Sequence, residues 1–141
     1  MPVSGLIDTG GILALLDSRD SWHALCVEAF ESMRLPLLTS SAVLTELFHL
    51  VGDNRRDMEA VWTFVRSGAL MLGTISGGEL PELHTLMSRY STPPMDFADA
   101  TLVYLARRES ISTILTVDHS DFQSYCIQGR RKFRVLPARR P

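Results

Sequence analysis

Asp8 and Asp118 each stand directly after a short apolar run, Val3–Ile7 in the first case and Thr113–Val117 in the second. If those runs are strands of an open α/β sheet, both carboxylates lie beyond the carboxyl ends of the strands, the edge where such sheets gather functional groups. Each also has a plainer role open to it, because aspartate is a favoured helix cap and turn residue. Asp99 lies inside a helix-like stretch, Asp96–Arg108. On a wheel at about 100° per residue, Ala98, Leu102, Val103 and Ala106 fall within about 100° of it on either side. Asp99 therefore projects from the buried face, where an unpaired carboxylate costs several kcal/mol or takes up a proton. Asp96 reads as the N-cap of the same helix. Glu46 lies mid-helix, about 40° outside the Leu50 border of an apolar arc of about 160° made by Leu50, Val43, Leu47, Val51, Leu44 and Phe48, and alone it reads as a solvated edge residue. The remaining acids look like helix ends and wet faces. His23, His49, His84 and His119 share no metal-ligand spacing, Cys26 and Cys126 form no CxxC pair, and no Ser–His–Asp or Cys–His arrangement is present. The chemistry left is that of carboxylates.

The elements that would position them alternate between strand and helix. Val3–Ile7 is a strand candidate that runs into a tight turn, Asp8-Thr9-Gly10-Gly11, and then a short helix, Ile12–Leu16. Trp22, Cys26, Ala29, Phe30 and Met33 recur at helical spacing behind Ser21 as a cap. Pro36–Thr39 is a second strand, Ser40-Ser41 caps a helix over Ala42–Val51, and a further helix covers Arg56–Arg66 and stops at Gly68. Ala69–Thr74 is a strand closed by Ser76-Gly77-Gly78, Leu80–Tyr90 is helical, and Pro93-Pro94 ends it. After Asp96–Arg108 come a buried strand, Thr113–Val117, and a last strand, Phe133–Leu136. This pattern predicts an α/β fold with βαβ units and a mostly parallel sheet covered on both faces.

Composition agrees with that class. The chain has 141 residues, 45% hydrophobic and 21% charged, which predicts one compact domain over residues 1–141 with a core large enough to need neither disulfide nor zinc. Two distant cysteines predict reduced thiols and a cytoplasmic protein. No secretory h-region follows Met1, and no stretch reaches the ~18 apolar residues of a membrane span. Net charge is −2, yet six of the fourteen basic residues fall between Arg130 and Arg140, so residues 129–141 form a basic end. Such an end reads either as a solvated segment or as a nucleic-acid contact.

Four stretches carry a resemblance: Leu6-Ile7-Asp8-Thr9, Thr45-Glu46, Met95-Asp96-Phe97-Ala98-Asp99-Ala100, and Thr113 to Phe122 with Asp118 and Asp121 inside it. Together they resemble a PIN domain and, more narrowly, the VapC-type ribonuclease toxins of bacterial toxin–antitoxin pairs. The likeness spans essentially the full length and keeps the order and rough spacing of all four acidic motifs. It implies a three-layer α/β/α sandwich and a divalent-metal-dependent cut of single-stranded RNA. Position by position it implies a catalytic, metal-binding quartet of Asp8, Glu46, Asp99 and Asp118, with Asp96 and Asp121 as auxiliary acids near the rim. It further implies a homodimer and a cognate antitoxin whose peptide covers the groove. Two features depart from the family pattern. Gly10 stands where a small hydroxyl residue is more usual, and the chain has a single lysine, Lys132, so arginines would have to hold the RNA.

The physics of such a quartet is restrictive. Two carboxylates about 4 Å apart repel by about 4 kcal/mol at an effective dielectric near 20, so without a cation some are protonated or pushed apart. Hard oxygen donors with no thiolate or imidazole favour Mg²⁺ or Mn²⁺. Asp8 and Asp99 are expected as direct ligands, with Asp118 and Glu46 as ligands or as partners of bound waters. Arg130, Arg131 and Arg134, with Arg55 and Arg56, are the candidates for steering phosphates. Two rivals remain at this point. One is a non-catalytic PIN-like module that binds RNA or protein. The other is a phosphoacceptor receiver, which would want paired acids after the first strand and a lysine after the last; here Thr9 follows Asp8, and Lys132 precedes its strand.

Overall fold

In the computed structural model, residues 3–141 are described, and they form a five-stranded sheet flanked by helices. The strands are β1 (Gly5–Ile7), β2 (Leu37–Ser40), β3 (Leu70–Gly73), β4 (Thr113–Leu115) and β7 (Arg134–Leu136), in the order β3-β2-β1-β4-β7 and parallel throughout. Leu6 pairs with Leu38 on one side and Ile114 on the other. Successive strand residues point to opposite faces. Every residue of β1 and β2 is nevertheless buried, so helices must cover both faces, as the α/β reading required.

The chain steps outward from β1 to β2 to β3 and then returns to place β4 on the other side of β1. That reversal opens a crevice beyond the carboxyl ends of β1 and β4, the place where doubly wound sheets bind ligands. The helices α1 (Thr9–Leu16), α3 (Ser41–Val51) and α6 (Phe97–Glu109) all begin at that edge. Side chains set where they begin. Asp8, Ser40 and Asp96 accept hydrogen bonds from the backbone N–H of Gly11, Val43 and Asp99, satisfying donors that a helix start leaves free. At the far end of α6, Arg107 and Arg108 sit against the negative end of the helix dipole. Leu102, Val103, Leu105 and Ala106 of that helix join Leu6, Ile7, Leu47, Ile114 and Leu115 in the central core.

Several boundaries differ from the sequence reading, each for a local reason. The stretch Asp8–Gly11 is the first turn of α1 and not a tight turn, because the Asp8 carboxylate caps it. Gly11 permits the close approach of that turn to the sheet: a Cβ there would lie 2.6 Å from the Leu115 carbonyl oxygen. Helix α2 (His23–Ser32) starts after Ser21, since the Asp20 carboxylate takes the Trp22 N–H and holds the preceding segment as a loop. α4 (Arg55–Arg66) is capped by Asn54, and α5 (Leu80–Arg89) follows a single 3₁₀ turn at Gly77–Glu79. Two features were absent from the sequence reading: the six-residue helix α7 (His119–Ser124) and an antiparallel hairpin of β5 (Cys126–Gln128) and β6 (Arg131–Lys132). The basic end is accordingly no free tail. Arg131 and Lys132 lie in the hairpin, Phe133 is buried edge-on against Phe122, and Arg134 opens β7 at the edge of the sheet. No helix among the described residues is long and apolar enough to cross a membrane.

Candidate active site

The cavity at the crevice holds Asp8, Glu46, Asp96, Asp99 and Asp118 in its walls and has a volume of about 300 Å³. Five of the six acids singled out in the sequence thus line one hole. The sixth, Asp121, is also close. One carboxylate oxygen from each of Asp99, Asp118 and Asp121 lies within 4.8 Å of the others. Asp121 therefore stands beside Asp99 and Asp118 while lying outside the cavity walls.

Asp8 lies at the bottom. It is 6% exposed and holds two hydrogen bonds, from the Gly11 N–H at 2.8 Å to Oδ1 and from the Thr116 hydroxyl at 2.5 Å to Oδ2. Burial pushes its pKa up to about 7; those two hydrogen bonds pull against it, and the charges of Asp118 and Glu46 add to it. Thr116 is fully buried, and its oxygen also accepts the Asp118 N–H at 2.9 Å. One hydroxyl thus locks together the two acids that end β1 and follow β4. Gly10 belongs to the same wall. A Cβ at that position would lie 2.7 Å from Cγ2 of Val117, which also lines the cavity, so a larger residue there would have to displace the Val117 side chain. The hydroxyl donor to Asp8 is Thr116.

Asp99 projects from the first turn of α6, half-buried, with its pKa raised to about 8 by burial and then by the charge of Asp96. The Tyr125 hydroxyl donates to its Oδ2 at 3.0 Å. Tyr125 is 2% exposed and is packed edge-on by Tyr90 and Phe122. Tyr90 is itself tied down, because its hydroxyl accepts the Cys126 N–H. Asp118 has its pKa raised to about 6 by burial and by the carboxyl of Asp121. Ser40, the cap of α3, shares a hydrogen bond of 2.8 Å with Thr101 of α6, which fixes the two helices that carry Glu46 and Asp99.

No cation answers this charge. Among the described residues, the ion pairs are Arg19–Asp17, Arg107–Glu82, Arg108–Glu79, Arg108–Glu109 and Arg139–Glu28, and none includes an acid of the cavity. Arg55, Arg56, Arg130, Arg131 and Arg134 are exposed and stand outside the cavity walls. His119, next to Asp118, turns into the core, where its ring meets Trp22 at 4.8 Å and burial lowers its pKa. The donor set is thus all carboxylate, hard and negative. The Asp99, Asp118 and Asp121 oxygens, all within 4.8 Å of one another, are near enough to converge on one ion that takes oxygen ligands at about 2.1 Å. The residues fit a small divalent cation.

Sequence reasoning found the acids and missed two of the groups that hold them. Thr116 could have been found, as a hydroxyl ending an apolar strand two residues before an acid. Tyr125 carries no such signal, being 26 residues from its partner.

Comparison with known proteins agrees with this geometry. The PIN domain family profile matches residues 5–127. Ribonuclease VapC26 of Mycobacterium tuberculosis (strain ATCC 25618 / H37Rv) is 31% identical over 135 residues, covering 94% of this chain and 99% of that protein. The crystal structure of Mycobacterium tuberculosis VapC20, described as a toxin that cleaves the sarcin–ricin loop, superposes with a TM-score of 0.73 at 21% identity, over 84% of this chain and 94% of that one. A cavity of uncompensated acids at the switch point of a parallel sheet, and a sequence match through nearly the whole chain, lead to one conclusion: this chain belongs to the PIN domain family, among its VapC-type members.

Proposed function

We propose that the chain is an endoribonuclease that cuts phosphodiester bonds of single-stranded RNA with the help of Mg²⁺ or Mn²⁺, and that it serves as the toxin of a toxin–antitoxin pair. The observation that carries this reading is the set of acids at the crevice, three of them with raised pKa values and none with a cationic partner. Asp8, Asp99, Asp118 and Glu46 would hold the ion, with Asp121 and Asp96 beside them. A bound divalent ion supplies activation of water for attack on phosphorus and offsets charge on the leaving oxygen.

The chain's own groups do the positioning. Thr116 and the Gly11 N–H fix Asp8, and Tyr125 fixes Asp99, so that neither carboxylate has to reorganise when the substrate arrives. The acids repel a phosphate while uncompensated, which makes RNA binding depend on the metal. Arg130, Arg131 and Arg134, exposed on the hairpin and the edge strand, would contact flanking phosphates and give binding its salt dependence. By likeness to VapC-type proteins the chain works as a homodimer, meets a cognate antitoxin, and acts in the cytoplasm, where its two free cysteines stay reduced.

Purified protein incubated with cellular RNA and Mn²⁺, against the same mixture with EDTA, tests the reading. Cleavage with metal, loss with EDTA and loss in Asp99→Asn are expected. Undiminished cleavage by Asp99→Asn would remove the assignment, and a folded, metal-binding protein that cuts no RNA would favour the non-catalytic binding module.

A further inference from the structure

We propose that the groove beside the acidic cavity is a nucleobase subsite in which Phe97 stacks on a base next to the phosphate that is cut. This inference rests on the ribonuclease reading and adds to it the place where a neighbouring nucleotide lies. The groove runs between one face of α3 and the first turn of α6 and has a volume of about 670 Å³. Glu46, Asp96 and Ala98 belong to both hollows, so the groove is continuous with the cavity. An RNA strand with one phosphate among the acids has to carry a neighbouring nucleotide out of the cavity, and the shared wall leads it onto this open groove.

The lining selects what can lie there. It contains no arginine or lysine, and its two carboxylates repel a phosphate. What it offers is an aromatic face, small apolar side chains, and the polar groups of Ser41, Thr45 and His49. That combination suits a neutral planar ring, which needs a surface to stack on and a few donors or acceptors at its edge. Phe97 is 48% exposed, a large apolar ring left half in water at the mouth of a charged site. It is not on a loop: it is the first residue of α6, directly after the Asp96 cap, so its backbone is held by the hydrogen bond that starts the helix. The Thr45 hydroxyl donates to the Ser41 carbonyl at 3.0 Å. Its oxygen keeps acceptor capacity for an exocyclic amine.

The test uses a short single-stranded RNA, chosen from a random-sequence pool because wild-type protein cuts it in Mn²⁺. Phe97→Ala is expected to raise KM about tenfold with little change in kcat, the loss that follows removal of one stacking platform. Phe97→Trp restores KM, and both variants keep the wild-type Tm and Mn²⁺ affinity. Abasic substitution of one nucleotide beside the cut erases the difference between wild type and Phe97→Ala, and that nucleotide is the stacked one. Wild-type protein with Ca²⁺ in place of Mn²⁺ supplies a second measurement, in which 2-aminopurine at that nucleotide is quenched on binding and Phe97→Ala relieves the quenching. An unchanged KM, a defect that no abasic substitution alters, or an altered association state of Phe97→Ala in sedimentation would each overturn the subsite. A wild-type protein that cuts no RNA defeats the ribonuclease reading instead, and 2-aminopurine placed in turn at each position of a short single-stranded RNA, read with Ca²⁺ in wild type and in Phe97→Ala, then decides the subsite separately.

Discussion

Two acidic regions of this molecule are solved in opposite ways. Glu79, at the start of α5, takes hydrogen bonds from the Ser76 N–H and hydroxyl, the Tyr104 hydroxyl and the Arg108 guanidinium. These donors hold its pKa down at about 2. Asp99, a few turns of helix away from Arg108 on α6, has one hydroxyl donor and no cation, and its pKa is raised to about 8. The first carboxylate is completed by the protein; the second waits for something the protein does not contain. Incompleteness, more than acidity, separates a site from a surface.

The largest effect that would break this contrast is on cleavage. Asp99→Asn, isosteric and uncharged, is expected to abolish metal-dependent RNA cleavage, whereas Glu79→Gln should cut at the wild-type rate; equal losses in a gel assay would mean that the two regions do not differ in kind. Metal comes next. Saturating Mn²⁺ should raise the Tm of the wild type, by an amount that corresponds to about 2.7 kcal/mol at a hundredfold excess over Kd, and the rise should vanish in Asp99→Asn but persist in Glu79→Gln. Calorimetry that finds no shift in the wild type would remove the metal from the account.

The pH dependence sharpens the contrast because its sign reverses. Asp8, Asp99 and Asp118 have folded pKa values of about 7, 8 and 6, above an unfolded value of 3.8. The unfolded chain therefore releases protons first, and the metal-free protein loses stability as pH rises from about 4 to about 8. Glu79 acts the other way, contributing stability above its unfolded value of 4.5 that is lost as pH falls towards about 2. Thermal melts across that range should show the alkaline decline flattened in Asp99→Asn and the acid decline flattened in Glu79→Gln. The smallest effect belongs to the hydroxyl of Tyr125. Tyr125→Phe keeps the ring packing and should weaken Mn²⁺ about tenfold or somewhat more, the usual cost of losing a group that orients a ligand; an unchanged Kd would make the hydrogen bond to Asp99 incidental.

How much of this could be read from residues alone depended on distance along the chain. Asp8 and Asp118 were legible because apolar runs precede them, and Asp99 because a helical wheel puts it on a buried face. Glu46, just outside its apolar arc, was legible only through the family resemblance, and α3 carries it to the cavity wall. The hairpin of β5 and β6 escaped notice because strands of three and two residues offer no periodicity to detect. The closeness of Asp121 to Asp118 was not legible because α7, which brings the two together, is a single short turn or two with no apolar repeat. The parallel order of the sheet followed from alternation of elements, yet the reversal between β1 and β4, which creates the crevice, is a property of the assembled chain.

Asp8 has two duties, opening α1 through its hydrogen bond to Gly11 and presenting a charge to the cavity. Asparagine can perform the first and not the second. A descendant of this chain could therefore lose its catalytic power through one conservative replacement and still inherit the whole architecture, free to be retained for attachment alone.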